Sequence, residues 1–310
     1  PIASANGNVA TNESGGFVTL MPVMTFMDIE ADVTATKAQA ADFSMNAIAG
    51  YISGGGGSSP DLSPAVQAFV TIDPVTALTG TSGADMIIGC INGDTLTGLA
   101  GDDMLRGGAG ADTLFGGDDN DNESYEGSSV GVVVNLDIGG GTGAGQLGDA
   151  EGDLLYGIEN LIGSDERDIL QGTAGENIIN GAGGFDVMEG FAGNDTYAVD
   201  NSLDAVIEAA GGGFDNVFSS VDYIIDEAQE IESAILTGNA VVLRGSSSDN
   251  QLFGNDQVNV IDGREGTDFM LGQGGADIFQ INLEAGAVDV VGDFSKAEGD
   301  RLAFTGFNQA

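Results

Sequence analysis

A repeat of nine residues, each unit beginning with glycine, constrains this chain more strongly than any other feature of its sequence. Thirteen units fall into three uninterrupted blocks. They begin at Gly80, Gly89, Gly98, Gly107 and Gly116, then at Gly163, Gly172, Gly181 and Gly190, and finally at Gly245, Gly254, Gly263 and Gly272. Nine residues are too few for a helix and its return, but they fit a glycine-rich turn followed by a short strand.

Two positions of the unit keep one chemical character. The eighth position is apolar or aromatic in every unit except one, where Glu123 stands, so one side chain per unit is expected to be buried. The sixth position is always Asp or Asn. In chain order these residues are Asp85, Asp94, Asp103, Asp112, Asp121, Asp168, Asn177, Asp186, Asp195, Asn250, Asn259, Asp268 and Asp277.

Two units would form one flattened coil of eighteen residues. Stacked coils would form an all-β parallel β-roll, or β-solenoid, in which equivalent residues of successive coils lie about 4.8 Å apart. Calcium binds oxygen ligands at about 2.3–2.6 Å, so an ion between two turns can reach an oxygen above it and an oxygen below it. The spacing therefore predicts several calcium ions between the stacked turns.

Sixth-position residues that lie eighteen apart form the expected ligand pairs. Aspartate occupies both members of the pairs Asp85–Asp103, Asp94–Asp112, Asp103–Asp121 and Asp168–Asp186. Asparagine enters the pairs Asn177–Asp195, Asn250–Asp268 and Asn259–Asp277, which predicts weaker binding there and the tightest binding in the first block. The predicted metal ligands are Asp85, Asp94, Asp103, Asp112, Asp121, Asp168, Asn177, Asp186, Asp195, Asp268 and Asp277. Because paired carboxylates repel one another without the ion, calcium binding and folding are expected to form one equilibrium.

The unit resembles the GGxGxDxUx nonapeptide of the hemolysin-type, or RTX, calcium-binding repeat family, and residues 107–115 match it best. The resemblance covers most of residues 80–310, and segments 289–294 and 298–302 are similar to the closing segment of such proteins. It implies a secreted protein that a type I system exports through an uncleaved C-terminal signal, and an extracellular or cell-surface location. The first residues lack the pattern of a secretory signal peptide, which agrees with that expectation.

Composition excludes several classes of function. The chain has 49 acidic and 7 basic residues, a formal net charge of −42, which opposes binding to nucleic acids and to anionic membranes. It has no histidine, so it cannot form a Ser-His-Asp or Cys-His catalytic pair. Cys90 is the only cysteine, so no disulfide can form within the chain and bound metal is the expected stabiliser. No apolar run approaches the ~18 residues of a membrane-spanning helix.

Composition and periodicity also divide the chain. Residues 1–79 are expected to form a small mixed α/β region for attachment or assembly, with a helix over 35–52 and a Gly/Ser linker over 53–60. Strands are expected within 17–27 and 65–72. The remaining segments are predicted as repeat blocks over 80–124, 163–198 and 245–280, solenoid connectors over 125–162 and 199–244, and a C-terminal cap with the secretion signal over 281–310.

The two connectors are expected to continue the solenoid. Strands are predicted at 130–136, 153–156 and 216–225, with a loop at 139–145. Each connector also contains acidic residues that are either extra calcium ligands or part of a solvated loop. These residues are Asp149, Glu151 and Asp153 in the first connector, and Asp200, Asp204, Glu208 and Asp215 in the second.

These features predict a non-enzymatic, extracellular structural protein whose folding and self-association depend on calcium, as in a surface layer, a matrix filament or an adhesive coat. Self-association would use the N-terminal region or the ends of the solenoid, and a cell-surface polysaccharide is a further candidate partner. The alternative is a secreted polysaccharide-active enzyme, or the calcium-stabilised accessory module of one, because pairs of carboxylates can act as acid and base. A secreted toxin is the weaker third hypothesis, since no long apolar region precedes the repeats.

Overall fold

The fold was analysed in a computed structural model. It describes residues 77–139, 141–208, 211–227, 229–283 and 287–306, and four short strands that precede them. The chain forms two compact units, Pro1–Asn160 and Leu161–Ala310. Within the described residues, a 3-10 helix at Gly148–Ala150 accompanies an otherwise all-β structure, which confirms the predicted fold class.

Among the described residues, the first unit contains thirteen strands. They are β1 (Val9–Thr11), β2 (Val18–Leu20), β3 (Asp42–Ser44), β4 (Gln67–Val70), β5 (Ala77–Thr79), β6 (Asp85–Ile88), β7 (Thr95–Ala100), β8 (Met104–Arg106), β9 (Thr113–Asp118), β10 (Asn122–Ser124), β11 (Val133–Asn135), β12 (Gly143–Gln146) and β13 (Leu154–Tyr156). Strands β4, β6, β8 and β10 form one parallel sheet, and β5, β7, β9 and β13 form another. Equivalent residues in the repeat block are eighteen apart, as Leu96 and Leu114 are.

The second unit contains the remaining strands, of which β14 begins at the boundary. They are β14 (Asn160–Ile162), β15 (Ile169–Gln171), β16 (Ile178–Asn180), β17 (Val187–Phe191), β18 (Thr196–Val199), β19 (Ala205–Glu208), β20 (Asn216–Ser219), β21 (Tyr223–Ile224), β22 (Ser233–Leu236), β23 (Val242–Arg244), β24 (Gln251–Phe253), β25 (Val260–Asp262), β26 (Phe269–Leu271), β27 (Ile278–Asn282), β28 (Val290–Val291) and β29 (Arg301–Thr305). The even-numbered strands from β14 to β28 pair in parallel, as do β15–β17–β19 and β21–β23–β25–β27–β29. Each unit is thus a parallel β-solenoid.

The core of each solenoid consists of the eighth-position side chains, stacked one above another. All thirteen have no measurable solvent exposure, which the sequence pattern predicts for the twelve apolar or aromatic residues but not for Glu123. Between the blocks, Leu155, Val217, Ala234 and Leu243 continue the same rows. Burial of an aliphatic side chain contributes about 1.5–3 kcal/mol, so these rows supply the main apolar stabilisation of the coils.

The N-terminal region differs from its prediction in one respect. The predicted helix over 35–52 is wrong at Asp42–Ser44, which form strand β3 and pair with β4. Pairing with a neighbouring strand overrides a helical spacing in the sequence, because propensity is weak beside tertiary contacts. The predicted strands within 17–27 and 65–72 contain β2 and β4, and the rest of both ranges lies outside the described residues. The rest of 35–52 and the predicted linker over 53–60 lie outside the described residues.

The connectors contain shorter strands than the sequence predicts. In the first connector β11 covers only 133–135, and part of the predicted loop is strand β12, which pairs antiparallel with β11 and β13. Strand β13 then returns to the parallel sheet beside β9. In the second connector the predicted strand over 216–225 is two strands, β20 and β21. The coils here vary in length, since Thr196 pairs with Asn216 and Asn216 pairs with Ser233.

Candidate metal centres

The sixth-position residues form a hydrogen-bonded series that we call the aspartate ladder. In each link the backbone N–H of one residue donates to the side-chain oxygen of the residue eighteen positions later. The links of the first block join Asp85 to Asp103 at 2.8 Å, Asp94 to Asp112 at 2.7 Å and Asp103 to Asp121 at 2.9 Å. Those of the later blocks join Asp168 to Asp186 at 2.8 Å, Asn177 to Asp195 at 2.8 Å, Asn250 to Asp268 at 2.9 Å and Asn259 to Asp277 at 2.8 Å. The structure therefore stacks all seven pairs that the spacing predicts.

The sixth-position side chain lies against the first glycine of its own unit. A β-carbon placed on Gly80 would lie 2.6 Å from Oδ2 of Asp85 and 2.8 Å from the carbonyl oxygen of Gly98. A β-carbon placed on Gly245 would lie 2.6 Å from Oδ1 of Asn250 and 2.7 Å from the carbonyl oxygen of Gly263. Glycine is thus required because a side-chain oxygen and a carbonyl oxygen of the next coil converge where its β-carbon would be.

The thirteen turns divide into two kinds. The first two turns of each block are closed turns. In a closed turn, the backbone N–H of the second residue donates a hydrogen bond to the sixth-position side chain of the same unit. The donors are Thr81, Cys90, Ser164, Thr173, Ser246 and Asn255. In the open turns, which make up the rest of each block, the second residue has a positive φ. These residues are Leu99, Gly108, Gly117, Ala182, Phe191, Arg264 and Gln273.

The open turns leave carboxylate oxygens that fit a cation. The Oδ2 atoms of Asp103, Asp112, Asp121, Asp186 and Asp195 are buried, and no described residue donates a hydrogen bond to them. A buried carboxylate oxygen without a donor is costly, unless a cation binds it. Carboxylate and carbonyl oxygens are the ligands that calcium prefers, so the residues present fit this ion. Bound calcium would supply the positive charge that holds these oxygens together.

Burial in the stacked turns also changes the pKa values of the ladder aspartates. Burial raises the pKa of Asp103, Asp112 and Asp195 to about 6, from an ordinary value of 3.8. Burial likewise raises the pKa of Asp121 and Asp186 to about 7, and the charge of the preceding ladder aspartate adds to the effect. The backbone N–H of the preceding ladder residue acts in the opposite direction, because it stabilises the ionised form.

The ladder continues through residues that the nine-residue register does not include. Outside the repeat blocks the acceptors are Asp153, Glu159, Asp204, Asp215, Glu232, Asp289 and Asp300. Their distances in sequence from the donors range from 17 to 41 residues, so a search for pairs eighteen apart misses most of them. Among the candidates in the first connector, Asp153 joins the ladder. Beside the 3-10 helix, the backbone N–H of Asp149 donates to the Ser128 hydroxyl oxygen, and the carboxylate of Glu151 accepts the N–H of Leu147.

The asparagines of the ladder have a different hydrogen-bonding role. Their side-chain oxygens accept hydrogen bonds from the turn, and the amide groups of Asn250 and Asn259 donate to the carbonyl oxygens of Ile231 and Ala240. All three ladder asparagines, Asn177 included, lie in closed turns. Aspartate therefore occupies every open turn.

Glu123 is the one eighth-position residue that is not apolar. Its side chain is fully buried in the same row as Ile87 and Leu105. The backbone N–H of Gly107 donates to its Oε1 at 3.3 Å, while no described residue donates to its Oε2. Burial raises the pKa of Glu123 well above its usual range, and the charge of Asp153 adds to this.

Stacked coils of eighteen residues, with buried carboxylates at successive turns, define the class of calcium-binding β-rolls. The family model of the RTX calcium-binding nonapeptide repeat matches in four copies, over residues 92–123, 153–188, 172–201 and 244–279. The chain therefore contains RTX calcium-binding nonapeptide repeats, and these repeats bind multiple calcium ions. A search of the curated proteins gave no significant match. Among the described residues, no helix is long and apolar enough to span a membrane.

Proposed function

We propose that this chain is an extracellular structural protein that calcium orders and that then associates with further copies of itself. It would contribute to a surface layer, a matrix filament or an adhesive coat. In this proposal the ladder residues with free carboxylate oxygens in the open turns are the principal calcium ligands, and segment 281–310 carries the signal for type I export. The observation that carries the proposal is the stacking of buried carboxylates between open turns.

The electrostatics of the ladder support an extracellular location. In the described part of the chain, the ion pairs Arg244–Asp262 and Arg264–Glu227 involve no ladder residue. Because the chain has 49 acidic and only 7 basic residues, its own side chains cannot neutralise the ladder, and a mobile cation is needed. Extracellular calcium-binding modules have dissociation constants of about 10⁻⁴–10⁻³ M, which suits a protein that remains unfolded at the low calcium of the cytosol and folds after export.

An apolar row on the outer face of the second unit supports self-association. Phe218, Ile235, Phe253 and Leu271 lie in register on neighbouring strands β20, β22, β24 and β26. Phe218 is 43% exposed, and the other three are partly exposed. Their side chains point away from the core rows, since residues alternate between the two faces of a strand. A contiguous exposed apolar row is typical of a surface that contacts another molecule.

A non-catalytic role agrees with the placement of the carboxylates. The ladder carboxylates accept backbone hydrogen bonds inside the turns, where a polymeric substrate cannot reach them. The cell-surface polysaccharide is retained as a candidate partner of the outer surface. Turnover of alginate-like or pectin-like polymers by the purified protein would contradict this assignment and favour the enzymatic alternative.

A calcium titration followed by circular dichroism and light scattering tests the proposal. We expect the β-signal to appear with calcium and to be lost in EGTA, and scattering to rise only after the β-signal. The variant Phe218→Ser should lower the scattering and leave the β-signal unchanged, while Phe185→Ser, another exposed phenylalanine of the same unit, should change neither. A protein that keeps its β-signal in EGTA, or that stays monomeric in calcium by electron microscopy, would overturn the proposal.

A further inference from the structure

Three buried carboxylates lie close together in the second unit, at the start of the second connector. Asp195, Glu208 and Asp215 each offer an oxygen, and these three oxygens lie within 4.8 Å of one another. Each of the three residues is at most 7% exposed. Among the described residues, this is the one group in which three acidic side chains approach so closely.

Glu208 stands where the repeat has glycine. Within a repeat block, the first glycine of one unit is followed eighteen positions later by the first glycine of another. Gly98 and Gly116 form one such pair, and Gly245 and Gly263 form another. Eighteen positions after Gly190 the chain instead has Glu208, which ends strand β19 opposite Phe191. Glu208 therefore brings a side-chain carboxylate to a place where a stacked repeat unit would have glycine.

The space beside Glu208 contains an oxygen without a donor. Asp195 is fully buried, and its Oδ1 accepts the backbone N–H of Asn177 at 2.8 Å. Its Oδ2 receives no hydrogen bond from any described residue. A β-carbon placed on Gly190 would collide with both this Oδ2 and the hydroxyl oxygen of Tyr197. Because the Tyr197 hydroxyl donates to Oε1 of Glu208, the free oxygen of Asp195 is directed towards the Tyr197–Glu208 pair.

We propose that Glu208 and Asp215 join Asp195 of the last open turn in the second block to form a three-carboxylate cation site, which binds calcium more tightly than the other repeat turns. Ligand charge governs the affinity of oxygen sites for calcium, and this site brings three side-chain carboxylates together. The second connector thus continues the solenoid and also closes the second block with a site of its own. This inference is separate from the structural role proposed above, since the site can bind its ion whether or not the chains associate.

Tyr197 makes the site observable. Terbium replaces calcium at oxygen sites, and its luminescence is sensitised by an aromatic side chain close to the ion. The chain has no tryptophan, so tyrosine is its strongest sensitiser. We expect terbium added to the calcium-free full chain to give a first luminescence phase that saturates before the others. The variant Tyr197→Phe should remove most of this phase without changing the number of ions bound.

Two substitutions of Glu208 test the ligand itself. Glu208→Gln removes the charge, and Glu208→Gly restores the residue of the repeat. Each should weaken the first phase at least tenfold, whereas Glu166→Gln, at an exposed glutamate of the same unit, should leave it unchanged. Circular dichroism in calcium shows which of the two Glu208 variants folds. One folded variant is enough to decide whether Glu208 is a ligand. Terbium curves identical to the wild-type curve in a folded Glu208 variant, or a first phase unaffected by Tyr197→Phe, would overturn the proposal.

Discussion

The backbone N–H of Asp94 donates a hydrogen bond of 2.7 Å to Oδ1 of Asp112, and the two residues occupy the same corner of successive coils. Oδ2 of Asp112 is buried without a donor among the described residues. One carboxylate thus has two tasks, since it satisfies the backbone of the coil before it and offers an oxygen to a cation. Its first task needs only an oxygen acceptor, whereas the second needs the charge.

Replacement of Asp112 by asparagine separates these two tasks. Asp112→Asn keeps an acceptor for the N–H of Asp94 but removes the charge, so we expect calcium affinity to fall about tenfold, or about 1.4 kcal/mol. The β-signal at saturating calcium should be unchanged. Isothermal titration calorimetry measures the affinity, with Asp118→Asn, at an exposed aspartate of the same unit, as the control. Equal affinities for the two variants would contradict the assignment of Asp112 as a ligand.

The pH dependence of stability should change direction with calcium. Burial raises the pKa of Asp121 and Asp186 to about 7, so the calcium-free folded chain holds protons that the unfolded chain releases. This contribution to stability is complete below the ordinary pKa near 4 and is lost as the pH rises through about 7. Calcium competes with the same protons, so its affinity should increase over that range.

Circular dichroism in EGTA and calcium titrations, both between pH 5 and pH 8, measure the two effects. We expect the β-signal that is lost in EGTA at pH 8 to return in part as the pH falls towards 5, because protonated ladder carboxylates no longer repel one another, and the affinity for calcium to grow as the pH rises. A β-signal in EGTA that does not increase at low pH would show that the raised pKa values are wrong.

Leu99 adopts a conformation that favours glycine. Its φ is 94°, and it occupies the second position of an open turn, where the next unit has Gly108. A non-glycine residue in this region costs about 1–3 kcal/mol. We expect Leu99→Gly to raise the free energy of unfolding in calcium by about 1 kcal/mol, after the entropic cost of glycine is subtracted.

The matched substitution for this test is Thr173→Gly. Thr173 occupies the second position of a closed turn. Its N–H donates to the side chain of Asn177, and its hydroxyl oxygen accepts the N–H of Gly175. Glycine there should lower stability, as measured by urea unfolding in calcium. Destabilisation by both substitutions would argue against strain at Leu99.

The buried carboxylate of Glu123 should destabilise the fold. It is fully buried in a row of aliphatic side chains, with its Oε2 lacking a donor among the described residues. We expect Glu123→Leu to raise the free energy of unfolding by about 1–3 kcal/mol, because an unsatisfied polar group is replaced by an apolar one. Urea unfolding in calcium measures the change, and Glu126→Leu, at an exposed position nearby, should change stability by less than about 0.5 kcal/mol. A loss of stability in Glu123→Leu would instead indicate that the carboxylate has a positive role.

The sequence predicts those parts of the structure that depend on a fixed spacing. The eighteen-residue coil, the rows of buried side chains and the stacked pairs such as Asp103 and Asp121 all follow from the nine-residue period. The period does not predict Glu159 or Asp300 as ladder residues, because the intervening segments have other lengths and only the folded chain brings them into line. Nor does it distinguish open from closed turns, since the same position of the unit has a positive φ at Phe191 and a hydrogen-bonded N–H at Thr173.

The ladder has a direction. In every link the amide belongs to the coil that comes earlier in the chain and the acceptor to the coil that follows, as between Asp94 and Asp112 or between Asp277 and Asp300. Each coil therefore depends on its successor, and the two faces of a coil are chemically unlike, one presenting amide donors and the other carboxylate acceptors. Chains that extend such a stack by adding end to end can continue its hydrogen bonding only in head-to-tail order, which gives any resulting filament a polarity.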